Sequence, residues 1–206
     1  MLREFSIAAV VTTNLLIGIR YCYLISKRRI SPALAMWVFF TIATVGSLFT
    51  YLAEGDYGLL DNVLNTADIV LVGAVAVWIA LFGDRSSRFS RFDLGCLAAV
   101  LVIVAVWGAT RQNVVAHSAI QAILVIAYVP VVKRMWTSKQ NTESFFMWTG
   151  LLLAPLFSLL SSRGTLAAVY AARAIACTGT LLALMLRIEW KERRARGARS
   201  LSGPTG

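Results

Sequence analysis

Seven apolar runs, each close to the length a bilayer demands, constrain this chain more than any other feature. They cover roughly Phe5–Leu24, Ala33–Leu52, Leu59–Phe82, Phe92–Thr110, Val114–Val132, Ser144–Leu160 and Thr165–Leu186. A spanning helix needs about 20 predominantly apolar residues, and in lipid only helices or closed barrels satisfy every backbone polar group. The runs are continuous and do not alternate, which selects helices. With 58% of its 206 residues hydrophobic, the chain carries more apolar surface than a soluble domain of this size can bury. The expected fold is an all-α integral membrane protein with seven transmembrane helices. The first run has Glu4 beside Arg3 and no clean small-x-small cleavage site before Arg20, so it is expected to be a retained span.

The charges between the runs segregate. One set of loops holds Lys27, Arg28, Arg29, Arg85, Arg88, Arg91, Lys133, Arg134 and Lys139, and the tail adds Arg187, Lys191, Arg193, Arg194, Arg196 and Arg199. The other set holds Arg3, Arg111 and Arg163, with Glu54, Asp56 and Asp61 in its second loop. The positive-inside rule then puts the N-terminus outside and the tail in the cytoplasm, in a multi-pass protein of the plasma (inner) membrane. Topology accounts for the net charge of +10 without nucleic acid. The basic tail is expected to attract anionic lipid headgroups. Trp78, Trp107 and Trp190 fall where interfacial anchors belong. Cys22, Cys96 and Cys177 sit in separate apolar runs without metal spacing and read as small hydrophobes.

Two stretches echo one another. YVPVVKRMWTSKQNTESFFMW from Tyr128 and YCYLISKRRISPALAMW from Tyr21 both start with Tyr, carry a basic cluster and end in Met-Trp. Aligned on Tyr21 and Tyr128, Asn14 pairs with Gln121. Aligned on Trp37 and Trp148, Ser47 pairs with Ser158. Span 3 aligns with span 7 through Gly73 and Gly179, which pairs Asp68 with Ala174, one position from Arg173. Three spans invert the chain, so two parallel three-helix units need one crossing between them, and span 4 has no counterpart. The expected organisation is 3+1+3: residues 1–91 as the first repeat, 92–112 as a linker helix, 113–188 as the second repeat and 189–206 as the tail.

This arrangement resembles the SWEET and PQ-loop transporters, a divergent bacterial-type member of that group. Pro130-Val131-Val132-Lys133, Ser138-Lys139 and Thr142-Glu143-Ser144 look like the family's proline-containing loop. The resemblance implies alternating access, with Pro130, Pro155 and Pro32 as hinges. Tyr23 stands at the expected first-repeat proline, and Val131 where the pair's glutamine would be. The family's paired pocket asparagines are met in span 3 by Asn62 or Asn65, whereas span 7 has Ala168 and Ala171 at the paired positions.

Charges near a bilayer centre are costly and tend to face a partner or a cavity. Asp68, about nine residues into span 3, and Arg173, about eight into span 7, lie roughly 12 to 14 Å deep. They form either a site, with Arg173 holding an anionic group or Asp68 taking up a proton as access alternates, or a structural ion pair. Asn14 and Gln121, at matched depths, either line a pore or bond between helices. Asn65 is expected to share the surroundings of Asp68. His117, near the outer end of span 5, is expected to be solvated or capping, and Trp37 and Trp148 to be anchors or packing.

The leading reading is a transporter or facilitator of a small polar solute, with a proton as a further partner and a homo-oligomer compatible with the sequence. The alternative is a receptor or a subunit without transport. An enzyme is not expected, nor a cofactor or metal. One His cannot ligate a haem from two sides, span 7 has no Lys for retinal, and Ser47 has no histidine at comparable expected depth to activate it.

Overall fold

The computed structural model describes residues 1–30, 32, 34–83, 91–138 and 144–201. Arg85, Arg88, Lys139, Thr142 and Glu143, named above for loop charge or motif, lie outside them. Among the described residues the regular structure is all helical: α1 (Leu2–Ser26), α2 (Leu34–Leu52), a 3-10 turn (Leu59–Asn62), α3 (Val63–Phe82), α4 (Arg91–Thr110), α5 (Asn113–Ile126), α6 (Val129–Ser138), α7 (Phe145–Ser158) and α8 (Thr165–Leu201). The stretches Leu2–Ser26, Leu59–Phe82 and Thr165–Arg194 are long and apolar enough to cross a membrane, and four further apolar helices are shorter. Leu15, Ile19, Val70, Val77, Leu101 and Val115 stand exposed on the outside. Helices that stay apolar on their outward faces suit lipid and not water. Helix content and surface together are those of a helical membrane protein.

One boundary differs from the sequence reading. The fifth run is two helices, α5 and α6, separated by Ala127 and Tyr128. Pro130 accounts for the break: it has no N–H to donate to the carbonyl four residues back, at Ile126, where α5 ends. α8 runs unbroken from Thr165 to Leu201, so the basic tail begins as a helical extension of the last span-length run. Of the three proposed hinge prolines, Pro155 lies inside α7. Pro130 opens α6, and Pro32 precedes α2 without being in a helix.

Six helices close a ring in the order α1, α3, α2, α5, α8, α7 and back to α1. α4 packs outside it on α2 and α5, and α6 extends along α8. Val10, Leu64, Ala154, Tyr170 and Ala171 make the core where α1, α3, α7 and α8 converge. Ile17, Trp37, Leu71, Val75 and Met147 fill the ring one level further along. α1 and α7 approach closely at Gly150. A Cβ on Gly150 would lie 2.7 Å from Cδ1 and 2.8 Å from Cγ1 of Ile17, itself only 1% exposed. Gly150→Ala is therefore expected to destabilise the protein by about 1–3 kcal/mol through overpacking. Gly95→Ala, where no atom stands within 4 Å, should be neutral or gain up to about 1 kcal/mol of helix propensity. Unfolding of both purified variants in detergent checks the opposite signs.

At the end of the ring where the chain starts, four segments are tied together. Asp61 Oδ1 accepts from Arg3 Nη2 at 2.8 Å and lies 3.6 Å from Arg163 Nη1. Its Oδ2 accepts from the Gly58 N–H at 2.9 Å, and its backbone carbonyl from the Arg163 N–H at 2.9 Å. Tyr51 donates to the Arg163 carbonyl at 2.9 Å and stacks on Tyr57 with centroids 4.8 Å apart. Gly164, at φ +80, brings the α7–α8 turn against the Tyr57 hydroxyl, and a Cβ there would come within 2.6 Å of it. Only glycine takes that backbone conformation without strain.

Candidate functional site

The polar side chains that the apolar runs carry converge on the inside of the ring. Asn14, midway along α1, donates through Nδ2 to Asp68 Oδ1 at 3.1 Å. Tyr170 of α8 donates its hydroxyl to Asp68 Oδ2 at 2.8 Å. One turn further along α8, Arg173 lays its guanidinium over the face of the same Tyr170 ring, 4.7 Å from the centroid. Its Nε donates to Gln121 Oε1 of α5 at 2.9 Å, and Tyr128 also approaches it. Tyr170 thus stands between the two charges, with its hydroxyl toward one and its π-face toward the other.

Gln121 continues the chain of bonds. Its Nε2 donates to Ser47 Oγ of α2 at 2.8 Å. In the amide orientation that satisfies both of its ends, Asn65 of α3 accepts from the Ser47 hydroxyl at 3.1 Å and donates to the Thr44 carbonyl at 3.0 Å. Ser47 is fully buried, and so is Asn65. Asn62 caps α3, its Oδ1 accepting from the Asn65 N–H at 3.3 Å, which is a structural task.

Asp68 and Arg173 are close enough for their charges to interact. Even so, the ion pairs among the described residues join Met1 to Glu4 and Asp61 to Arg3 and Arg163, and none joins Asp68 to Arg173. Each charge is held by neutral dipoles, and each remains half-buried. Of the residues singled out in the sequence, Asp68, Arg173, Asn14, Gln121 and Asn65 come together here, while Asn62 sits at the helix start beside them.

Three further residues take places that their positions in the sequence do not reveal. His117 is neither solvated nor a cap: it is fully buried, with Nδ1 3.1 Å from both the Ser47 carbonyl and Thr50 Oγ1. The end of α2 covers it, which distance along α5 alone does not reveal. Tyr170 and Ser47 are the central connectors, yet a lone Tyr or Ser in an apolar run gives no signal of depth. Trp37 packs against Tyr21 with centroids 5.0 Å apart, and Trp148 lies edge-on to Tyr128 at 6.0 Å.

No protein-family model matches this chain, and no curated protein or solved structure is similar to it. The arrangement of side chains can hold a small solute by charge and hydrogen bonds. Contrary to expectation a histidine does lie beside Ser47: His117 Nδ1 is 3.1 Å from its backbone carbonyl, while its hydroxyl is engaged by Gln121 and Asn65.

Proposed function

We propose that this protein is a SWEET/PQ-loop-like transporter or facilitator of a small polar solute. In this reading it is a multi-pass protein of the plasma (inner) membrane, with seven spans, an outside N-terminus and a cytoplasmic C-terminus. Two three-span units, α1–α3 and α5–α8, the second with α5 and α6 together making one span, rock around the centre at Asp68 and Arg173. α4 is the linker that lets the units run parallel. The observation that carries the reading is a repeated bond. In each unit an amide from the first span holds the ionisable group of the third: Asn14 holds Asp68, 54 residues on, and Gln121 holds Arg173, 52 residues on. The order of helices supports it, since α3 lies between α1 and α2, as α8 lies between α5 and α7.

Pro130, with its break between α5 and α6, and Pro155 inside α7 are the places where bending costs least. Pro32 stands at the entry to α2. The basic end of α8 would lie among anionic headgroups, where Arg187 already stacks on Trp136 and Arg194 on Trp190. Uptake by purified protein in liposomes, screened over sugars, amino acids, nucleosides and vitamins, tests the proposal. Time-dependent accumulation of one class above empty liposomes is the expected result. Uptake of none by demonstrably folded protein would leave a receptor or subunit as the better reading.

A further inference from the structure

We infer that the centre between α3, α5 and α8 binds a small zwitterion, a molecule with an ammonium group and a carboxylate on one short skeleton. The inference rests on the reading of this centre as a solute site and names the class of solute it takes.

The first ground is that two opposite charges share the interior and do not clasp one another. A structural pair in low dielectric repays its desolvation only with close, well-formed contact, and arginine with a carboxylate favours a bidentate fork. Here each charge is held away from the other. Asn14 fixes Asp68 Oδ1, and Gln121 takes the Arg173 Nε. The Tyr170 ring stands between them, bonded to one and stacked on the other. Neutral dipoles steady each charge without cancelling it.

The second ground is capacity. Each carboxylate oxygen of Asp68 accepts one hydrogen bond and has further lone-pair sites, and the group keeps its negative charge facing no cation in contact. Arg173 spends Nε on Gln121 and also bonds the Tyr128 hydroxyl, and with five N–H donors the guanidinium keeps further donors to meet a carboxylate. Both residues are mostly buried, and each keeps a minor share of accessible surface. A ligand with one charge would neutralise one residue and leave the other as it was. A ligand with both would complete the two ion pairs at once. A neutral polyol would complete neither.

The test uses ligands that differ by one charge. L-alanine, L-leucine and L-phenylalanine are compared with their amides, which lack the carboxylate, and their N-acetyl derivatives, which lack the ammonium. A neutral hexose is the fourth class. Binding is read from ligand-dependent thermal stabilisation of the purified full chain, and uptake separately in liposomes. At least one free amino acid should bind tenfold or more tighter than its amide and its N-acetyl derivative, with no hexose binding. In Asp68→Asn the advantage over the N-acetyl derivative should vanish, and in Arg173→Gln the advantage over the amide. Because the ligand series decides on the unaltered protein, a variant that fails to fold does not shield the inference. Hexose binding without charge discrimination, a single-charge derivative binding as well as its parent, or no binding by any amino acid would each overturn it. Binding without uptake would instead leave the zwitterion site standing and defeat the transport reading.

Discussion

Truncating Tyr170 to alanine is expected to cost the folded bundle about 3–5 kcal/mol, the largest loss from any single substitution in the polar centre. Its ring is only 1% exposed and belongs to the core where α1, α3, α7 and α8 meet. Between helices in a membrane the loss is one of packing, because the ring's neighbours are left facing a void. Removal also strips Asp68 of its hydroxyl donor and Arg173 of the face it lies on. Tyr170→Phe separates the two contributions. It keeps the ring and loses a single hydrogen bond to a charged acceptor, an effect of about 1.5–3 kcal/mol. Reversible unfolding of purified protein in mixed micelles measures both. If phenylalanine is tolerated without loss, the bond to Asp68 is not made in the folded protein. If it costs as much as alanine, packing is not what Tyr170 contributes.

Tyr170 also marks where sequence reasoning stops. Asp68, Arg173, Asn14, Gln121 and Asn65 were legible because an ionisable or amide side chain in an apolar run is expensive, and so has to have a partner inside. Tyrosine carries no such penalty, since its ring is apolar and its hydroxyl is satisfied at an interface as readily as in a core. Serine is smaller still, and nothing local says that Ser47 joins α3 to α5. The apolar helices were legible for the same reason that the charges were: apolar length and charged turns are local properties. The break between α5 and α6 was half legible. Pro130 stood out, but its effect falls four residues earlier, on the carbonyl of Ile126. His117 was misread because its position four residues into α5 says nothing of the α2 end that folds over it.

Replacing Asp61 by alanine is expected to cost about 1.5–3 kcal/mol and to loosen the end of the ring where the chain starts. One nearly buried carboxylate there meets Arg3 from α1, Gly58 from the turn before α3 and Arg163 from the α7–α8 turn. The two arginine side chains are 53% and 64% exposed, so water recovers much of what they lose and their ion pairs count for little. The Gly58 N–H and the geometry of the turn account for more of the effect. Asp61→Asn keeps one side-chain oxygen, which can accept from the Gly58 N–H or from Arg3 but not from both, and puts an NH2 donor in the other place, so it should recover only part of the loss. The difference between the two substitutions therefore measures what the one retained acceptor contributes. Under the rocking mechanism this tie joins the two units at one end, and its loss should admit water there. Ser6 reports on that, because it is fully buried at the same end and donates to the Phe157 carbonyl at 2.6 Å. With the three native cysteines replaced by alanine, a Ser6→Cys protein should react with a water-soluble maleimide several-fold faster once Asp61→Ala is added. Unchanged labelling together with unchanged unfolding would mean that Asp61 neither holds this end shut nor supports the fold. Faster labelling with little loss of stability would instead mark it as a latch, a contact strong enough to bias one arrangement of the two units and weak enough to open.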